Sequence, residues 1–370
     1  MFTDEHLYSI ALRKCSQIGD INFYKLVSAV GSAKEVWGFP KKDLAAIIGI
    51  GAKTIYDIGN AESIKFAESE LKFCEEQQIK INLRHLGDLP NLLNECEDAP
   101  AILYQKGEFN KKLTPLSIVG TRNVTHYGKK FLEDFFEEIK DSQLTSISGL
   151  ALGVDTEVHQ QSLKHNIPTI AVLAHGFHTL YPSRNKKMSE KILEQNGVLL
   201  SEFNSSQKPD RENFIQRNRI IAGLSETTVV VETAFGGGSV STANFANYYN
   251  REVYALPGKI TDKYNQGCNQ LIAQNKARTI SSIKDLIEEL DIDKPKSKVG
   301  ELFPYSDIKA MLSEKQQKIY DILQKYDSPV ALDDIAEQCG FPSHKALPIL
   351  LELELSGFIK TFSGKQFQIA

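Results

Sequence analysis

Over the first 80 residues apolar positions recur at helical spacing and are broken by glycines. The stretches QIGDINFYKLVSAVGSAKEVW (17–37) and DLAAIIGIGAKTIYDI (43–58) predict two loosely similar helical pairs in a helical domain 1–80. A connector, 81–112, follows, with Gly, Pro and Asn marking turns. From 113 the texture changes to short β-branched runs: LSIVG (116–120), LTSISG (144–149), PTIAVL (168–173), GVLLSE (197–202), TTVVVE (227–232) and EVYALPG (252–258). Helix-length segments such as GKKFLEDFFEEIK and STANFANYYN separate them. Near-continuously apolar strands alternating with helices predict a parallel sheet covered on both faces over 113–290. The polar, two-proline segment DIDKPKSKVGELFPYS predicts a linker, 291–306. Residues 307–370 show three amphipathic helical patterns and then FIKTFSGKQFQIA, which alternates around a Ser-Gly turn; helices plus hairpin predict a winged helix. Pro348 falls inside the third of these patterns, where it predicts a late helix start or a kink.

Bulk properties narrow the classes. At 370 residues, 41% hydrophobic and 24% charged, the chain has the composition of an ordinary globular protein with room for several domains. The net charge of −4 gives no global attraction for nucleic acid, so any anion site must be a local patch. Five scattered cysteines, Cys15, Cys74, Cys96, Cys268 and Cys339, include no C-x-x-C pair, which argues against a disulfide framework or zinc site and for a reducing cytoplasm. The start lacks a signal-peptide layout, and no apolar run reaches the ~18 residues of a membrane span.

In a doubly wound sheet ligands gather beyond the carboxyl ends of the strands. Four such ends carry unusual chemistry here. In Gly120-Thr121-Arg122 a small residue permits close approach, a hydroxyl and amide stand at a helix entrance, and a guanidinium can hold phosphate through two hydrogen bonds; a turn with a solvated arginine is the plainer reading. ISGLALGVDTEVH places Ser148 and Gly149 at a strand end and Gly153 near a helix start. Asp155 and His159 there read as a helix cap and a packed histidine rather than metal ligands, since no third ligand is near. FIQRNRIIAGL sets Arg217 and Arg219 around Asn218, suited to a polyanion, with ion pairs to Glu202 or Glu212 as the alternative. ETAFGGGSVSTA opens a helix with three glycines, including Gly237 and Gly238, then Ser239 and Thr242, so amides and hydroxyls face an anion. Between these ends, Arg184, Lys186, Lys187 and Lys191 form a basic run beside Phe177, His178 and Tyr181. Cations along a backbone with rings for bases is how single strands are held; a solvated helix face and core packing are the alternatives. His175 and His178 are too few to argue for metal.

Taken together, SIVGTRNVTHYG, SISGLALGVDTEVH, IAVLAHGFHTLYP, LLSEF, FIQRNRIIAGLS, VVVETAFGGGSVSTANFA and VYALPGKITDKYNQGCNQLIAQNKA resemble the DNA-processing protein A family (DprA, also called Smf), in family order across about 115–280. The resemblance implies an α/β fold: an extended Rossmann-like parallel sheet core, an N-terminal helical (helix-hairpin-helix or SAM-like) domain and a C-terminal winged helix. It implies a single-stranded DNA-binding protein, not an enzyme, that protects incoming DNA in natural transformation and helps load the RecA recombinase. It implies a homodimer in the cytoplasm, with no membrane association, no cofactor and no metal. Carried onto this sequence, the phosphate pocket involves Gly120, Thr121 and Arg122, with Ser148, Gly149, Arg217, Asn218, Arg219, Gly238, Ser239 and Thr242 at its rim. The family arginine expected in the Gly-Leu-Ala-Arg-Gly-Ile-Asp string is Leu152 here, and Gly237 stands where Ser is common. The rival class is a nucleoside-monophosphate phosphoribohydrolase on a similar sheet. Its Gly-Gly-x-Gly-Thr loop is followed closely by a glutamate, whereas Thr242 precedes Ala243, Asn244 and Phe245. A dinucleotide dehydrogenase is disfavoured because no G-x-G-x-x-G follows the first of the six runs. The tail from Tyr305 to Ala370 carries seven Lys/Arg against nine Asp/Glu, and Glu352 and Glu354 lie in its third helical pattern. That charge suits a protein contact or dimer support better than duplex reading.

Overall fold

The computed structural model describes residues 2–292, 312–324, 326, 329–356, 358–362 and 366–369. The chain forms two compact units, 1–293 and 294–370. In the first, β1 (Lys80–Leu83) and β2 (Ile102–Lys106) precede β3 (Thr114–Val119), β4 (Leu144–Ser148), β5 (Thr169–Val172), β6 (Val198–Ser201), β7 (Thr227–Val230), β8 (Glu252–Ala255) and β9 (Arg278–Thr279). They make one sheet in the order β1-β2-β6-β5-β4-β3-β7-β8-β9. Strands β3 to β9 run parallel, each of the six β-branched runs supplying one of β3 to β8.

Both faces are covered, which is why these strands read as continuous apolar runs. Val119, Val230 and Val253 pack on one side with Ile220, Ala243 and Leu271, from helices Arg211–Gly223, Gly238–Tyr248 and Gln266–Ala273. Their neighbours Ile118, Val229 and Tyr254 face the other side, against Phe131, Phe135 and Val158 of helices His126–Glu138 and Val154–Lys164. The strand period of two thus divides one sequence run between two cores.

The segment expected to be a connector, 81–112, instead contributes most of β1 and all of β2, and both pair antiparallel: β1 with β2, and β2 with β6. Helices Asp4–Lys14, Asp20–Val30 and Ala61–Glu76 bury Leu12, Phe23 and Ala67 in one core with Ile81, Ile102 and Tyr104 of these strands. The stretch 43–58 departs from its expected helical pair. Beyond the four-residue helix Lys41–Leu44 it runs mainly through turns, held by buried Ile50, Ile55 and Ile58. Gly49, at φ +81°, takes a conformation that ends a helix.

In the second unit, helices Glu314–Leu323, Leu332–Cys339 and Ser343–Leu355 pack on a three-stranded sheet of β10 (Val330–Ala331), β11 (Ile359–Phe362) and β12 (Gln366–Ile369), ordered β10-β12-β11. This is a winged helix. The Ser-Gly turn of the hairpin and all but the first two residues of the expected linker 291–306 lie outside the described residues. The third helix continues through Pro348, with Ala346, Leu350 and Leu353 buried along it; packing outweighs the one backbone hydrogen bond proline removes. No described helix is long and apolar enough to cross a membrane.

Candidate nucleic-acid interface

Strand β3 lies mid-sheet, with β4, β5 and β6 on one side and β7, β8 and β9 on the other. The strand order reverses between β3 and β7, so the loops leaving their carboxyl ends diverge and leave a crevice. A cleft of about 800 Å³ opens there, between Gly120-Thr121-Arg122 and the Gly236–Gly238 loop.

The Gly-Thr-Arg turn is pinned at both ends. Thr121 N donates to Glu232 O at the end of β7 (2.6 Å), and Val154 N, at the start of the next helix, donates to Thr121 O (3.0 Å). Gly153 has φ +83°, and a Cβ there would strike the backbone of Thr121 and Arg122, so the turn and the helix entrance meet only over a glycine. Buried Glu232 accepts from Thr125 N (2.8 Å), fixing the start of helix His126–Glu138. These contacts leave Arg122 exposed, with its guanidinium carbon 4.8 Å from the ring centre of Phe214 and no ion pair among the described residues. Arg217 lies 5.9 Å from the same ring, and Tyr181 meets it edge-on at 5.9 Å. A phenyl ring with two guanidinium groups and a second ring within 6 Å of its centre thus forms one wall.

Arg217 is buried and donates to Gly149 O (2.7 Å) and Val172 O. Burial pulls its pKa down to about 10, Asp155 opposing, so it stays charged at neutral pH. A Cβ on Gly149 would occupy the place of this guanidinium, so Gly149 serves by admitting Arg217. Asn218 Nδ2 donates to Gly238 O (3.1 Å) and Ser241 Oγ (2.9 Å), clipping the glycine loop to the floor. Ser239 and Thr242, both buried, line the cleft from the first and second turns of helix Gly238–Tyr248, whose first amides have no intrahelical acceptor. At Gly237 a Cβ would lie 2.5 Å from Thr233 Oγ1, so a serine there requires the Thr233 hydroxyl to turn away.

Four expectations are corrected. Arg219 is not at the cleft. Residues two apart on a helix point about 200° apart, so Arg219 leaves the opposite face from Arg217. There it binds Glu202, Asp20 (3.3 Å) and Asp98 O, as the ion-pair alternative had it for Glu202 but not Glu212. Ser148 is fully buried, its Oγ donating to Ile118 O (2.7 Å), and offers nothing to a ligand. Phe177 is partly buried against the core beside β5 and β6 and against the core of the N-terminal helices, so it is no stacking platform; exposed His178 sits 5.8 Å from the Phe73 ring. The basic run divides: Arg184 and Lys187 line a second cleft, across the Gly-Thr-Arg turn, while exposed Lys186 lines neither.

His159 is packed, as expected, its Nδ1 meeting Thr169 Oγ1 at 2.8 Å; Asp155 is not the helix cap, which is Gly153, but lies buried at the second helical position and accepts from Ala151 N at 3.2 Å. His175 Nε2 accepts from Tyr181 N (3.0 Å), and no group of metal-ligating side chains occurs among the described residues. Sequence reasoning missed Phe214. Its signal was an aromatic three residues before Arg217, one helical turn away and so on the same face. It also missed Phe235, 60% exposed beside Gly236 on the glycine loop.

A family model described as DNA recombination-mediator protein A matches residues 80–291, and one for the DprA winged helix domain matches 305–365. Protein Smf of Synechocystis is 30% identical over 403 residues, covering 100% of both chains. DNA processing protein DprA of Bacillus subtilis is 40% identical over 203 residues, 54% of this chain and 68% of that one. Among solved structures, DNA processing protein A of Streptococcus pneumoniae aligns with a TM-score of 0.66 at 29% identity, over 78% of this chain and 98% of that one. The Helicobacter pylori protein, solved for its single-stranded DNA binding mode, aligns with a TM-score of 0.53 at 27% identity, over 58% and 97%.

Proposed function

The chain belongs to the DNA recombination-mediator protein A (DprA/Smf) family, and from that premise we propose that it binds single-stranded DNA in the β3/β7 cleft as a non-enzymatic mediator. The observation that carries the reading is the Phe214 ring within 6 Å of both Arg122 and Arg217 at the switch point. Rings accept unpaired bases, which a duplex does not offer, and guanidinium groups hold the flanking phosphates. The helix amides beyond Gly237 and the hydroxyls of Ser239 and Thr242 supply neutral donors to the same backbone. Each stacked base contributes about 1–3 kcal/mol, and one small cleft with few phosphate contacts binds weakly. Two clefts in a homodimer, engaging one strand, raise affinity by about 10²–10⁴ without new contacts. In this reading the protein covers incoming DNA during transformation and passes it to the RecA recombinase. The DNA-processing names of its relatives and the single-strand binding of the Helicobacter pylori structure support it.

Arg122→Ala tests it. The side chain makes no ion pair among the described residues, so the melting temperature should hold while oligonucleotide affinity falls at least tenfold by fluorescence anisotropy. Unchanged affinity at physiological salt rejects the cleft. The same preparation incubated with AMP or CMP should release no free base; release would favour the phosphoribohydrolase reading.

A further inference from the structure

A second cleft, of about 880 Å³, lies across the Gly-Thr-Arg turn and shares Arg122 and Asn123 with the first. Helices His126–Glu138, Val154–Lys164 and Lys186–Glu194 contribute its walls. Besides Arg122 its lining carries Lys129, Lys164, Arg184, Lys187 and Lys191 against, among the described residues, a single carboxylate, Glu157. Glu157 accepts from Gln161 Nε2 at 2.8 Å. Lys164 faces Glu133 at 3.7 Å, with both side chains about half exposed, a weak pair. Lys129, Arg184, Lys187 and Lys191 have no ion pair among the described residues. In a chain of net charge −4 this is a concentrated cationic field. The apolar lining is entirely aliphatic: Val124, Leu152, Leu163 and Met188. Among the described residues no aromatic ring lines this cleft, whereas Phe214 and Tyr181 line the first.

We propose that a DNA strand stacked in the first cleft continues across Arg122 into the second, which grips its phosphates and leaves its bases unread. The proposal rests on the single-strand reading of the first cleft. Three of the four unpaired cations are lysines, compact charges on flexible stems that follow a phosphate chain without demanding fixed geometry. Without a ring, the second cleft lacks the stacking that holds a base. Leu152 lies on its lining, so the cation that the family resemblance places at this position is missing from this cleft and not from the first.

The test uses the full-length protein and oligothymidylates of roughly 4 and roughly 12 nucleotides, spanning known single-strand site sizes. The triple variant Lys129→Ala/Lys187→Ala/Lys191→Ala alters only exposed side chains. Each lost phosphate contact lowers the slope of log affinity against log salt by about 0.7 for single strands. The triple variant should therefore lose about 2 from the slope with the longer strand, roughly tenfold or more in affinity, and nothing with the shorter. Abasic blocks placed at the 5′ or the 3′ end of the longer strand should differ, one harmless and the other costly. A wild-type slope and affinity in the triple variant, equal losses on both lengths, or equal damage from both blocks would overturn the proposal. Phe214→Leu separates the two ideas. If it still binds the short strand like wild type, the stacking cleft fails; a length-specific slope loss in the triple variant then still reports phosphate capture in the second cleft.

Discussion

At the scale of single residues, His159 couples burial to pH. Its ring is inaccessible, Nδ1 meets Thr169 Oγ1, and Nε2 has no partner among the described residues. Burial, aided by the charge of Arg217, holds its pKa down at about 3. In the unfolded chain the ring titrates near 6.5, so below that pH the unfolded state takes up a proton the folded state refuses. The stabilisation is therefore complete above pH 6.5 and is lost as pH falls toward 3, at about 1.4 kcal/mol per unit. Between pH 7 and pH 5 we expect urea unfolding to show a loss about 2 kcal/mol larger in wild type than in His159→Gln. Equal losses in the two would contradict the buried neutral ring. Arg122 and His159 were legible in the sequence because each follows from one local rule: a cation at a strand end, and a histidine on an apolar helix face. Phe177 was not. Its ring sits beside a basic run in sequence, and only the tertiary arrangement shows that it turns into the core.

At the scale of elements, Arg219 shows what the second arginine of the pair does. Its guanidinium joins helix Arg211–Gly223 to Glu202, just after β6, and to Asp20 at the start of helix Asp20–Val30. Asp20 also accepts from Arg13 Nε (3.2 Å) and Ala101 N (3.0 Å), so five segments meet at one cluster. Burial works against the charge on Arg219, but Glu202 and Asp20 outweigh it and its pKa is raised. Burial pushes the Glu202 carboxyl up, with Arg219 opposing. Arg219→Ala leaves that carboxylate buried without its cation and should cost about 3–5 kcal/mol in denaturant unfolding. Arg219→Met/Glu202→Leu, which removes both charges, should recover most of the loss. A single variant within experimental error of wild type would show that the cluster does not hold the helical layer to the sheet. Strands β3 to β8 were legible because each is buried on both faces and bounded by turns. Strands β1 and β2 were not: four and five residues long and set among Pro, Gly and Asn, they gain their stability from pairing with β6 and packing under the N-terminal helices.

At the scale of the whole molecule, charge is partitioned. The net charge is −4, yet the two clefts gather Arg122, Arg217 and the unpaired lysines into one basic tract at the carboxyl edge of the sheet. The winged helix goes the other way, with seven Lys/Arg against nine Asp/Glu from Tyr305 to Ala370. Its third helix carries Glu352 and Glu354 against one cation, Lys345, whereas a helix that reads a duplex needs a surplus of cations to meet the phosphates. Gln316 donates to Glu352 (3.1 Å) and Glu354 accepts from Thr361 N (3.2 Å), so both acids brace the unit's own helices and wing. DNA affinity should therefore reside in the first unit, which has its own cores and is compact by itself. A chain ending at residue 293 should bind a single strand within about 1 kcal/mol of the full protein at matched salt and oligomeric state, about a fivefold change or less. A fall of a hundredfold at equal oligomeric state would place a DNA contact in the winged helix against its charge. If affinity falls only as the truncated chain turns monomeric, the loss belongs to avidity, and the winged helix contributes by holding two sheets to one strand.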